Sequence, residues 1–380
     1  RLSSSPITQR SNIFTIPQGK LDEALAQRLQ ALNELNRQQG GNAVIEAVLG
    51  DAEFRQHVSQ LIRTQDRQDD TKGYRVDREW AEALKQSVLR RAADTLKGTD
   101  IFILQMEYEL SMALLEEFYK YLIKERGLSE EDAMFNTGEV AKLLMAGGLG
   151  SFKPDLVQGW YEELAKLWGE SEARKRLNVF GVLYSGAIKG QGSIQPRGDL
   201  EFKARETIVD LLRGKLDSLT TYEDIEIPYR EKIDHRWGDW KTMKVKVTIY
   251  RNRHSPLKEY WLYCPEVFHE AYPGDSDDYY RATQTYLYRK AVLRFIKEGM
   301  RNGDIEGPKL LFSTSEVNTT LAVPRVVDDE YRNDPAFKNI AVHHYNHTIV
   351  PAGMPCYRDD AFAHVKIAAE FKDAVNFDSG

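Results

Sequence analysis

Cysteine is scarce: Cys264 and Cys356 are the only two in 380 residues. Two thiols so far apart exclude a disulfide framework and make a reducing compartment, the cytoplasm, the expected setting. Runs of about 18 apolar residues are also missing, as is the basic, apolar and small-residue order of a signal peptide, so neither a membrane span nor export is expected. Clustered positive charge is lacking. With 52 Lys and Arg against 58 Asp and Glu, the net charge of -6 gives no electrostatic footprint for nucleic acid. There is no internal repeat and no low-complexity tract. The chain opens on Arg1 rather than Met, so further residues are expected before it.

Hydrophobic residues make up 42% and charged residues 29%, an ordinary globular balance, and 19 Tyr lean towards surfaces that meet sugars or other polar ligands. The length exceeds what one core usually supports, so more than one unit is expected. Residues 1–19 are polar, hold two prolines and show no period, and read as an arm. Helical spacing then begins: Leu21, Leu25, Leu29, Leu32 and Leu35; Ala43 to Arg63, interrupted at Gly50 with Asp51 placed as a cap; and Asp77 to Lys97, with Gly98 at the exit. From Thr99 the pattern becomes short apolar runs alternating with helical stretches. DIFILQMEY, NVFGVLY, KLLFST and KNIAVHHY read as strands of a parallel sheet covered on both faces. Between them MKVKVTIYR alternates with period two and, with KEYWLYC, predicts an antiparallel hairpin inserted into the frame. The expected fold class is therefore α/β: an N-terminal arm and helical segment over 1–98, then a Rossmann-like parallel-sheet lobe over 99–380 with a β insertion at about 219–265.

Three stretches could carry chemistry. In AVHHYNHTIVPAG, His343 and His347 stand four apart, which on a helix would suit zinc; the preceding run reads as a strand, on which 343, 345 and 347 share a face and His344 points away. No Glu stands between them and no third ligand is evident, so no metal is assigned. Metal ligands, a catalytic group and packing all remain open readings for these imidazoles. In LLMAGGLGSFKPDL, Gly147, Gly148 and Gly150 make a flexible turn before a helix starting near Ser151, which is either a tight connection or an amide cradle for an anion. In YPGDSDDYYRATQTYLYRK, Asp275, Asp277 and Asp278 precede a helix bearing Arg281, Gln284 and Tyr286, a solvated helix start or an acidic site.

Taken in order, QMEYELSMALL (105–115), AGGLGS (146–151), FGVLYSGAIKGQ (180–191), YPGDSDDYYRATQTYL (272–287), SEVNTTLAVPRV (315–326) and YNHTIVPAG (345–353) resemble the N-terminal half of the α-glucan phosphorylases, the enzymes of glycogen, starch and maltodextrin. The resemblance covers about residues 100–357. It implies the N-terminal lobe of a two-lobed GT-B glycosyltransferase that converts glucan and phosphate to glucose 1-phosphate. It further implies that His347, the histidine of the Asn-His-Thr triplet, meets the glucosyl unit beside Asn346, that Gly148 and Leu149 offer amides to phosphate and sugar hydroxyls, and that Asp275 sits in a gating loop. The family's cofactor is pyridoxal phosphate, on a lysine of a C-terminal lobe that this chain does not contain; that lobe, in the same or a separate polypeptide, and a second copy in a homodimer are the implied partners, beside α-glucan and phosphate. The chain departs from the family where Asn-Asp/Glu-x-His becomes Ser315-Glu316-Val317-Asn318, at Ser276, and at Thr285 in place of Glu. Those changes make a non-catalytic glucan-binding or regulatory protein the alternative, and one lobe alone is expected to be inactive.

Overall fold

In the computed structural model, residues 12–17, 23–66, 74–106, 111–144, 152–185, 197, 211–234, 236–269, 278–315, 319–327, 329–345 and 359–368 are described. The chain divides into two compact units, Arg1–Lys97 and Gly98–Gly380.

The first unit holds helices α1 (Glu23–Gln39), α2 (Gly41–Gly50), α3 (Ala52–Asp66) and α4 (Arg78–Leu96). Asp51 Oδ1 accepts from the Phe54 amide at 2.9 Å, so the break after Gly50 is a capped junction between two helices. Asp77 caps α4 through the Trp80 amide, and Gly98 leaves it with φ of 75°, a conformation that costs glycine little. Part of the predicted arm is core. Strand β1 (Phe14–Thr15) pairs antiparallel with β2 (Arg75–Val76), and buried Phe14 meets the edge of buried Trp80 at 5.2 Å. The apolar pair Ile13–Phe14 is too short to show a period, yet each residue is almost fully buried.

The second unit is built on one seven-stranded sheet. Its strands are β3 (Thr99–Leu104), β4 (Leu177–Val182), β5 (Asp217–Tyr229), β8 (Lys241–Arg251), β9 (Lys258–Tyr263), β10 (Lys309–Ser315) and β11 (Ile340–Tyr345); β6 (Lys232–Ile233) and β7 (Arg236–Trp237) form a separate two-stranded excursion. The sheet order is β11-β10-β3-β4-β9-β8-β5, with every pair from β11 to β9 parallel and the last two antiparallel. Counting only the parallel strands, the order is third-second-first-fourth-fifth, the Rossmann arrangement. The expected hairpin exists, but it is not an insertion beside the frame: β9 pairs with β4 and carries the sheet outwards to β8 and β5. Glu259, Tyr260, Trp261 and Leu262 of β9 are all buried, as an internal strand covered on both faces requires.

Helices α5 (Met112–Lys124), α6 (Glu130–Leu144), α7 (Phe152–Trp168) and α8 (Glu170–Arg176) connect β3 to β4, α9 (Asp278–Asn302) connects β9 to β10, and α10 (Asp359–His364) follows β11. Phe102 and Leu104 of β3 point into a core shared with Phe180, Phe312 and the α9 residues Leu287, Tyr288, Ala291 and Val292. Ile101 and Ile103 point to the opposite face and are equally buried, so both faces are covered. None of the helices among the described residues is long and apolar enough to cross a membrane.

Candidate functional site

Parallel strands end at one edge, and in a Rossmann arrangement ligands meet that carboxyl edge where the strand order reverses. Here the reversal lies between β3 and β10, and register defines what stands there. Ser313 pairs with Ile103 and Thr314 with Leu104 across β3 and β10, while Ser313 pairs with His343 and Thr314 with His344 across β10 and β11. Paired residues in a parallel ladder share a face. Ile103, Ser313 and His343 therefore form one row on the side of α7, and Leu104, Thr314 and His344 a row on the side of α9.

Contacts bear out the division. His343 Nδ1 lies 3.1 Å from Ser313 Oγ, and its ring meets Trp160 of α7 edge-on at 5.9 Å. His344 Nδ1 lies 3.1 Å from Thr314 Oγ1 and 2.8 Å from Thr320 Oγ1. The adjacent histidines face opposite ways, as strand alternation predicts, and so cannot share a metal ion. Gln105, one residue beyond β3, continues the α7-side alternation while Met106 joins the α9-side core. Its side chain is 2% exposed, and Oε1 has no hydrogen-bond partner. Ser315 stands at the same level on β10, its amide donating to Thr319 Oγ1 at 2.7 Å. A buried acceptor left without a partner costs about 1–3 kcal/mol, which a ligand hydroxyl would recover.

The α7 side of the reversal thus offers an amide, two hydroxyls, an imidazole and an indole, none of them a fixed charge. Such a surface suits a neutral, hydroxyl-rich ligand better than a free anion. Cys264, just past β9 and two strands away from β3, is buried, and burial with the Glu266 carboxylate beside it pushes its thiol up to about 12. Gln284 of α9 is buried and donates to the Val267 carbonyl at 3.1 Å, a packing role.

Gly148, Leu149, Asp275, Asn346 and His347, the residues singled out by resemblance, all lie outside the described residues. Gln105, Ser313 and Trp160 were not singled out. Nothing in their local sequence marks them, because only the pairing of strands far apart in the chain brings them to one place. By sequence, Asn346 and His347 directly follow the last residue of β11.

No family model and no curated protein sequence matches the chain. Among solved structures, the catalytic domain of starch synthase IV from Arabidopsis thaliana, bound to ADP and acarbose, aligns with 11% identity and a TM-score of 0.31, covering 66% of this chain and 34% of its own. The chain thus spans about a third of that structure, and a likeness at this level supports no argument about its chemistry.

Proposed function

We propose that this chain is the N-terminal lobe of an α-glucan phosphorylase-like glycosyltransferase of the GT-B type. One observation carries the reading. Four of the six stretches that resemble the phosphorylases meet the carboxyl ends of four neighbouring strands: QMEYEL starts just after β3, FGVLYSG runs through the end of β4, SEVNTT starts on the last residue of β10 and YNHT on the last residue of β11. The parallel sheet brings these segments, far apart in the chain, to one edge, where a shared crevice would need them. The neutral polar surface beside Gln105, Ser313 and His343 agrees with a sugar there.

Phosphorolysis passes through an oxocarbenium-like state, which is stabilised by fixed dipoles and hydrogen bonds aimed at the developing charge. In this reading His347 and Asn346 contribute to the glucosyl pocket, Gly148 and Leu149 to its amide donors, and Asp275 to the mouth. Pyridoxal phosphate would supply a phosphate group for proton transfer, but the described residues do not fit it. Lys258, the lysine whose pKa burial lowers, is the first residue of β9, far along the strand from the carboxyl edge, and donates to the Asp304 carbonyl. A second lobe would have to hold the cofactor.

Full-length protein incubated with maltooligosaccharide and inorganic phosphate is expected to release glucose 1-phosphate, and His347→Ala is expected to weaken saccharide affinity about tenfold, about 1.4 kcal/mol. Absence of saccharide binding by the parent protein would refute the reading. Binding without phosphate-dependent turnover would instead select the non-catalytic glucan-binding protein, which Asn318 in place of the family histidine favours.

A further inference from the structure

A cavity of about 660 Å³ opens among α5, α6, α7 and the turn between β8 and β9. It lies on the α7-side face of the sheet, and none of Gln105, Ser313, Trp160 or His343 lines it. The walls are apolar and adaptable: Leu115, Val157 and Leu257 form the inner part, while Met112 and Met134 stand at the rim, 56% and 67% exposed. Large apolar side chains so exposed mark a contact surface, and methionine adapts to what it meets.

The polar lining is acceptor-rich. Glu259 is 3% exposed, and its oxygens accept from Asn252 Nδ2 and Ser255 Oγ, both at 2.8 Å; Asn252 Nδ2 also donates to Ser111 Oγ at 2.9 Å, tying the turn to the cap of α5. Glu116 lines the cavity as well, and beside it Glu117 Oε2 lies 3.6 Å from Nδ1 of His254, another lining residue. No Lys or Arg lines the cavity; Lys120, outside it, pairs with Glu116 and Glu117. Glu116, Glu117 and Glu259 outnumber the two ammonium groups that face them among the described residues, Lys120 and, towards Glu117, Lys215, so the local sign is negative and the matching occupant is positive.

We infer that this cavity is a second ligand site, separate from the crevice at the carboxyl edge, and that it takes a small apolar molecule carrying an amine. The apolar body rests on Met112, Leu115, Met134 and Leu257. The ammonium faces Glu116 and Glu259.

Calorimetric titration of the full-length protein with phenethylamine, 2-phenylethanol and 3-phenylpropionate separates charge from shape. The amine is expected to bind at least about tenfold tighter than either analogue. Met134→Arg, at an exposed rim position where the fold is not at risk, is expected to abolish amine binding with an unchanged melting temperature. Glu259→Gln is expected to reduce it about tenfold. Equal affinity for all three compounds, no binding of the amine, or amine binding undisturbed in a folded Met134→Arg protein would each overturn the inference.

Discussion

Cys264 sits at the end of β9 with no exposed surface, and its raised thiol pKa leaves it protonated at neutral pH. Iodoacetamide at pH 8 is therefore expected to leave Cys264 unmodified in the native protein and to alkylate it after denaturation, as peptide mass mapping would show. Asp224 gives a prediction with a sign. A hydrogen bond from Arg294, the largest cause, holds its carboxyl below the usual range. A carboxylate whose folded pKa lies below its unfolded value adds stability above the unfolded pKa, about 3.9, and that stability is lost as the pH falls through the folded value. Asp224→Asn should thus lower the urea midpoint slightly at pH 7 and leave it nearly unchanged at pH 2, because the pair is exposed and its contribution small. An equal loss at both pH values would show that the ion pair is not its cause.

Helix α9 shares the core of the second unit, and a fully buried residue near its middle is charged. Arg289 is fully buried; it lies 3.1 Å from Asp329 and donates to the Val365 carbonyl at 2.8 Å, fastening the helix to the segments before and after β11. Burial lowers the pKa of its guanidinium, which Asp329 opposes. Asp329→Ala is expected to destabilise the unit by about 3–5 kcal/mol by stranding that charge, whereas Arg289→Met with Asp329→Leu should recover most of the loss, both read from denaturant unfolding. Elements differed in how legible they were. Strand β8 shows its period because Val245, Val247 and Ile249 are buried while Lys244 and Lys246 are exposed. Its partner β5 falls within the expected β insertion but shows no such period, since register shifts at Ser218/Thr220 and Tyr222/Ile225 break the alternation and Glu223 and Glu226 pair with those same lysines. The cap at Asp51 acts within four residues and is readable in the sequence. The floor of Gln105, Ser313 and His343 depends on register across more than 200 residues, which no local window contains.

At the scale of the molecule, the two units have separate cores. Trp80, fully buried, anchors the helical one with Phe14, Val44, Val48 and Leu84 around it. Trp80→Ala is expected to cost that unit about 3–5 kcal/mol. Hydrogen exchange should then accelerate across α1 to α4 while the amides of β3, β4 and β10 keep their protection. The sheet has a consequence in time. Thr99 of β3 and Lys309 of β10 are ladder partners, 210 residues apart in the chain. At about 5–20 residues per second a ribosome takes on the order of 10–40 s to make that stretch. For all of that interval one flank of β3, every residue of which is buried in the folded sheet, has no native neighbour. A nascent chain halted before residue 309 should consequently be held by chaperones that grip extended apolar segments, and released once β10 has been synthesised.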